Sequence, residues 1–221
     1  VCTLGPATAT RKRIFELANA GMNVARINCS HGTWEQRHEW IEWVREASEK
    51  IHPVAILVDL QGPKFRLGHM PVEGVEVKTG QSVTIGVDPA AVIPLHRDAV
   101  YEAMKPGDKV LLGDGEVQLR IVSDLGEMFQ AKVIAGGLVQ GRKGVTLSGR
   151  SFDVPALTPR DLEDIKEAAK ADVDFIALSY VRCAEDIAAL AEQIELAGAD
   201  ILTVAKIETR EALKDLSAII H

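Results

Sequence analysis

Apolar and polar positions follow two rhythms along the 221 residues. Val1 to Leu4, Val24 to Asn28 and Val54 to Asp59 are short apolar runs of strand length, separated by segments whose apolar residues recur at helical spacing. Thr10 to Ala20 predicts a helix stopped by Gly21. Thr33 followed by Gln36 is a capping-box pattern, opening a helix to about Lys50 whose Trp40, Trp43, Val44 and Ala47 share one face. Between about Met70 and Arg150 glycine becomes frequent. Val75 to Lys78, Ser82 to Val87, Lys109 to Leu112, Val117 to Val122 and Gln130 to Ile134 read there as short strands, with a short helix over Arg97 to Met104.

The first rhythm then resumes. Thr158-Pro-Arg-Asp161 opens a helix to about Ala171, with a capping threonine, proline in the first turn and an early acid. Strand Asp174 to Ser179, helix Ala184 to Ala197 and strand Ile201 to Glu208 follow. Strands alternating with helical connectors predict an α/β fold, either a parallel sheet or a (β/α) barrel, interrupted by an inserted all-β module.

The second strand carries the first candidate chemistry. Its period of two puts Val24, Arg26 and Asn28 on one face and Ala25 and Ile27 on the other. A strand arginine snorkels, pairs with a carboxylate, or waits for an anionic ligand, and all three readings are open here. Asn28, Ser30, His31 and Gly32 follow at once, in a strand-end loop of the kind that binds ligands in α/β proteins. Asp59 ends the third strand, and Lys206 and Glu208 share one face of the last at i and i+2. Arg26 and Lys206 suit an anion, whereas Asp59 and Glu208 supply oxygen ligands for a hard cation, which together point to phosphoryl chemistry with magnesium. The alternative is that Lys206 and Glu208 form a structural ion pair.

Composition narrows the partners. With 25 Lys+Arg against 32 Asp+Glu the net charge is -7, which argues against nucleic acid or an acidic membrane surface. Cys2, Cys29 and Cys183 are widely spaced and form no C-x-x-C pair, so reduced thiols and a cytoplasmic location are expected rather than a disulfide framework or a zinc site. No apolar run approaches the roughly 20 residues that span a bilayer.

Several stretches, in order, carry a resemblance to pyruvate kinase: Val1 to Thr8, Gly21 to Gly32, Asp59 to Gly68, Lys143-Gly-Val-Thr-Leu-Ser-Gly149, Asp153-Val-Pro-Ala156, Ser179-Tyr-Val-Arg182 and Ala205-Lys-Ile-Glu208. The resemblance implies a (β/α)8 TIM-type barrel, incomplete here at about five strands. Residues 1–69 and 151–221 would belong to the barrel and 70–150 to an inserted mobile lid. It implies transfer of the phosphoryl group of phosphoenolpyruvate to ADP, giving pyruvate and ATP, in glycolysis. Arg26 would bind the phosphate of phosphoenolpyruvate, and Lys206 would be the catalytic lysine that stabilises the transferring phosphoryl group and the developing enolate. Asn28, His31, Arg66 and Lys143 would contact nucleotide. Glu208 would hold Mg2+ (or Mn2+), while Asn28, Ser30, Asp59 and the Leu60 carbonyl would line a monovalent-cation position. A homo-oligomer, tetrameric in the family, is implied for the complete protein.

The departures from the family pattern carry expectations of their own. Lys64 stands where potassium-dependent members have glutamate, so its ammonium would replace the ion and potassium would not be required. Cys29, Gln61, Thr146, Ser148 and Thr209 stand where Phe, Lys, Asn, Pro and Asn are common. The second metal carboxylate of the family lies on a sixth strand, beyond His221. The expectation is therefore a piece of a longer chain, or missing strands supplied by a partner. The competing reading is a non-catalytic half-barrel that binds phosphoenolpyruvate or nucleotide. A third, another barrel enzyme acting on enolpyruvate-type substrates, explains Arg26 and Glu208 but not Lys143-Gly-Val or the long insert.

Overall fold

Each apolar run in the outer parts of the chain forms a strand, and each strand leads into a helix that packs on the sheet, except the third, which reaches its helix only after the β-rich stretch. The computed structural model describes residues 1–63, 65–113, 115–148 and 154–221. In chain order the elements are β1 (Cys2–Leu4), α1 (Arg11–Asn19), β2 (Val24–Asn28), α2 (Trp34–Lys50) and β3 (Ala55–Asp59). A β-rich stretch holds β4 (Val75–Val77), β5 (Ser82–Gly86), β6 (Ile93–Pro94), α3 (Ala99–Ala103), β7 (Lys109–Leu112), β8 (Val117–Asp124), β9 (Met128–Ala135), β10 (Gly137–Val139) and β11 (Val145–Leu147). Then come α4 (Pro159–Lys170), β12 (Phe175–Leu178), α5 (Ala184–Leu196), β13 (Leu202–Ala205), α6 (Arg210–Lys214) and α7 (Leu216–Ile220). The chain divides into two compact units, one of Val1–Pro63 with Pro155–His221 and one of Lys64–Val154.

In the first unit the strands form one sheet in the order β1-β2-β3-β12-β13, and every neighbouring pair is parallel. Parallel neighbours in sequence order, each joined through a helix, are the connectivity of an arc of a β/α barrel, whereas a doubly wound sheet reverses its order. Ala25 and Ile27 of β2, Ile56 and Val58 of β3, and Ile176 and Leu178 of β12 are buried in one core with Ile14, Ala18, Val44, Ala47, Ile165 and Leu190 from the helices. Burying each Val, Leu or Ile contributes about 1.5–3 kcal/mol, so this face holds the unit together and leaves the other free for polar residues.

The helix starts follow their capping residues. Thr33 and Gln36 form a complete capping box at α2, as do Thr158 and Asp161 at α4. The buried stripe of α2 differs from the predicted face: it is Arg37, Ile41, Val44 and Ala47, with Trp40 and Trp43 half-buried at its flanks. Apolar character alone favoured the tryptophans, but a guanidinium occupies the inner position. The last strand is also shorter than expected. It ends at Ala205, so Lys206 and Glu208 lie beyond it in a loop rather than on a strand face.

The second unit contains a six-stranded sheet, β11-β7-β8-β9-β5-β6, and a two-stranded one, β10-β4. Its inward residues alternate along β8 and β9, where Val117, Leu119, Ile121, Phe129, Ala131 and Val133 are buried. The unit is not all-β, because Asp98 caps α3 by accepting from Val100 N and Tyr101 N.

Candidate active site at the strand ends

Register sets the site. Arg26 pairs with Leu57 across β2 and β3, and Asn28 pairs with Asp59; Asp59 in turn pairs with Ala177 of β12. Arg26, Asn28 and Asp59 therefore share the face turned away from the helix-covered core, with Arg26 diagonal to Asp59. Ser179 follows β12 and Lys206 follows β13, so these residues gather at the C-terminal ends of neighbouring strands.

Arg26 is paired with Asp59: its Nε donates to Oδ2 at 2.9 Å, its Nη2 donates to the same oxygen, and its Nη1 reaches Thr3 Oγ1 at 3.2 Å. Lys206 Nζ comes to the same carboxylate, 3.0 Å from Oδ1 and 3.3 Å from Oδ2. It also donates to Ser179 Oγ at 2.8 Å. The Asp59 side chain is 3% exposed, those of Arg26 and Lys206 33% and 23%. One buried carboxylate thus serves two cations whose outer edges reach solvent.

Glu208 lies beside this group. Its Oε1 is 3.6 Å from Lys206 Nζ, and its Oε2 accepts from Tyr180 N at 3.0 Å. Tyr180 has φ 57, a left-handed conformation uncommon for a bulky side chain and frequent where backbone is held for function. Ser179 Oγ donates to the Leu60 carbonyl at 2.8 Å, and Gly62, at φ +64, lies where a Cβ would meet Ser179 O at 3.1 Å. Ser179 and Tyr180 belong to a motif that was legible, Ser179-Tyr-Val-Arg182, but nothing in its spacing revealed that the hydroxyl orients Lys206 or that the amide holds Glu208. Thr3 gave no signal.

The loop after β2 is ordered by its own polar groups. Asn28 Oδ1 accepts from Ser30 N at 2.9 Å, and Asn28 O accepts from His31 N at 3.3 Å. Ser30 Oγ is buried without a hydrogen-bond partner among the described residues, an oxygen available to a cation. His31 is exposed and Leu60 buried. Cys29 is fully buried; burial pushes its thiol up to about 12, with the charge of Asp164 adding to the rise.

Arg66 and Lys143 lie on the second unit. Arg66 bridges Gly144 and donates through Nη1 to Arg142 O at 2.9 Å, while Lys143 Nζ is 2.6 Å from Glu116 Oε2. Lys64, Gly149 and Asp153 lie outside the described residues. No group of three or more His, Cys, Asp or Glu that could hold a metal occurs among the described residues. No described helix is long and apolar enough to cross a membrane.

Fold and site together define an α/β protein of the barrel type that gathers cations and carboxylates at the C-terminal ends of its parallel strands. The family model for the pyruvate kinase barrel domain matches residues 1–221. The chain belongs to the pyruvate kinase family. All of it aligns with a pyruvate kinase of Corynebacterium efficiens at 40% identity, covering 48% of that protein. It aligns equally completely with a pyruvate kinase of Thermotoga maritima at 37% identity, covering 48%, and with plastidial pyruvate kinase 2 of Arabidopsis thaliana at 34%, covering 39%. The chain therefore spans about half the length, or less, of these relatives.

Proposed function

We propose that the chain is part of a pyruvate kinase that transfers the phosphoryl group of phosphoenolpyruvate to ADP, giving pyruvate and ATP in cytoplasmic glycolysis. The observation that carries this reading is the convergence of Arg26 and Lys206 on the single carboxylate of Asp59. The two cations suit a phosphorylated, carboxylated substrate, and they are fixed before the ligand arrives. Arg26 binds the phosphate. Lys206, aimed by Asp59 and Ser179, stabilises charge on the transferring phosphoryl oxygens and on the enolate. Asn28, His31, Arg66 and Lys143 serve the nucleotide, and the β-rich unit serves as the family's lid. The complete protein is a homo-oligomer built on (β/α)8 barrels.

Glu208 would hold Mg2+ or Mn2+. Its side chain is 39% exposed, and magnesium is commonly held by one or two protein carboxylates together with substrate oxygens, so this donor fits that mode of binding. When bound, the ion neutralises charge developing on those oxygens. For a monovalent cation the donors would be Asn28, Ser30, Asp59 and the Leu60 carbonyl, of which Ser30 Oγ is buried without a hydrogen-bond partner among the described residues; Lys64 in the sequence, where potassium-dependent members have glutamate, supports a reaction that does not require potassium.

The test is pyruvate formation by the full-length protein with phosphoenolpyruvate, ADP and Mg2+. Turnover supports the reading. Calorimetric binding of phosphoenolpyruvate without turnover would replace it with a non-catalytic binding protein.

A further inference from the structure

A buried guanidinium holds the loop of Asn28, Ser30 and His31 from behind. Arg37, in the first turns of α2, is 1% exposed, and its Nη2 donates to three carbonyls: Cys29 O at 3.0 Å, His31 O at 2.9 Å and Gly32 O at 3.2 Å. Its Nη1 lies 3.4 Å from Asp164 Oδ1 on α4. That oxygen also accepts from Trp34 Nε1 at 2.6 Å, and the guanidinium carbon lies 5.1 Å from the Trp34 ring centroid. Arg160 adds a second donor to Cys29 O at 3.0 Å.

Packing does not account for this cluster. An apolar side chain at the inner position of α2 would bury its surface without the desolvation cost of an ion. The pairing is also incomplete, since Arg37 Nε and Asp164 Oδ2 are buried without a hydrogen-bond partner among the described residues. The guanidinium instead gathers the carbonyl dipoles of a short loop whose amides are tied, on the other side, to Asn28. Both sides of the loop backbone are thereby fixed.

We propose that Arg37, locked by Asp164 and Trp34 and assisted by Arg160, is a positioning residue that presets the Cys29–Gly32 loop so that His31 meets the nucleotide side of the substrates, and Ser30 the monovalent-cation position, in one conformation. The identity of the ligand rests on the pyruvate kinase reading; the clamp on the loop does not. Arg26 is set by the β-ladder of β2, so phosphoenolpyruvate affinity is independent of the clamp.

The test uses the full-length protein with Arg37→Met, Arg37→Lys and Arg160→Met, reading steady-state kinetics and amide hydrogen exchange. In Arg37→Met the KM for ADP rises about tenfold or more while that for phosphoenolpyruvate stays within about twofold. Exchange at residues 29–32 accelerates by about tenfold or more, without a matching change in β2 or β3. Arg37→Lys recovers part of both effects, because an ammonium is a point donor that cannot span three carbonyls. Arg160→Met, whose side chain is 53% exposed, moves the same quantities in the same direction and serves if Arg37→Met does not fold. Unchanged exchange at the loop with an unchanged KM for ADP overturns the proposal, even if the melting temperature falls. An equal rise of both KM values, with exchange faster throughout the unit, overturns it too. Should the wild type show no turnover, the functional reading fails while loop exchange still decides the clamp.

Discussion

Lys206 Nζ lies 3.0 Å from Asp59 Oδ1, on a carboxylate that Arg26 also holds. Two cations brought together over one buried anion repel each other, and the carboxylate is what makes their proximity tolerable. Replacing Asp59 by Asn keeps the shape and removes the charge. In the full-length protein this change should cost about 2–3 kcal/mol, discounted from the value for a fully buried pair because Arg26 and Lys206 reach solvent. Urea unfolding measures it, and a loss below about 0.5 kcal/mol, the range of neutral surface changes, would contradict the arrangement.

Asp186 in the first turn of α5 has a pH-dependent role. Burial raises its pKa, but hydrogen bonds from Arg182 outweigh this and hold it below the usual carboxylate range. Arg182 N and Nε donate to Oδ2 at 2.8 and 3.0 Å, and Nη2 donates to Oδ1 at 2.8 Å. A carboxylate with a depressed pKa adds stability that is present above its unfolded pKa and disappears as pH falls through the folded value. Asp186→Asn should therefore lower the melting temperature most near neutral pH, and the gap to wild type should shrink below about pH 4. A gap that does not change with pH would contradict the ion pair.

Cys29 provides a chemical check on burial. With its thiol pushed up to about 12 and its side chain fully enclosed, it has neither thiolate nor access. Iodoacetamide at pH 8 (about half a unit below a free thiol's pKa) should leave Cys29 unmodified in the native protein and label it once the chain is unfolded. Native labelling at Cys29, read by peptide mass, would contradict the core placement.

Much of the fold was legible because burial and period agree. Ala25 and Ile27 face the helices and Arg26 and Asn28 do not, as alternation along a strand requires. The illegible parts are those where side chains rather than patterns decide. Arg37 occupies an inner helix position that hydrophobic periodicity assigns to an apolar residue, because its partners are carbonyls and an aspartate far away in sequence. Strand β13 ends early, so the spacing of Lys206 and Glu208 reflects a loop instead of a strand face. The very short β6, β10 and β11 pair with distant partners or at sheet edges, and runs of two or three residues carry too little period to be recognised. In the site, Arg26, Asp59, Lys206 and Glu208 stood out as charges where apolar residues were expected. Ser179, Tyr180 and Thr3 did not, since their contributions are a hydroxyl or a backbone amide.

Lys64 bears on the monovalent-cation requirement. Under the proposal that its ammonium replaces the ion, phosphoenolpyruvate turnover by the full-length protein should proceed without added potassium. Rates measured in tetramethylammonium and potassium buffers of equal ionic strength should agree within about twofold, ionic strength being matched because screening alone alters charged sites. Strong activation by potassium would contradict this.

The most direct test of the central claim, that Lys206 is the cation aimed at the transferring phosphoryl group, is pyruvate formation by full-length Lys206→Met alongside wild type. Removing a positioned electrostatic stabiliser should lower kcat by about a hundredfold or more while phosphoenolpyruvate still binds through Arg26. A variant with near-normal kcat would contradict the role assigned to Lys206 and, with it, the reading of the Arg26, Asp59 and Lys206 group as the reaction centre.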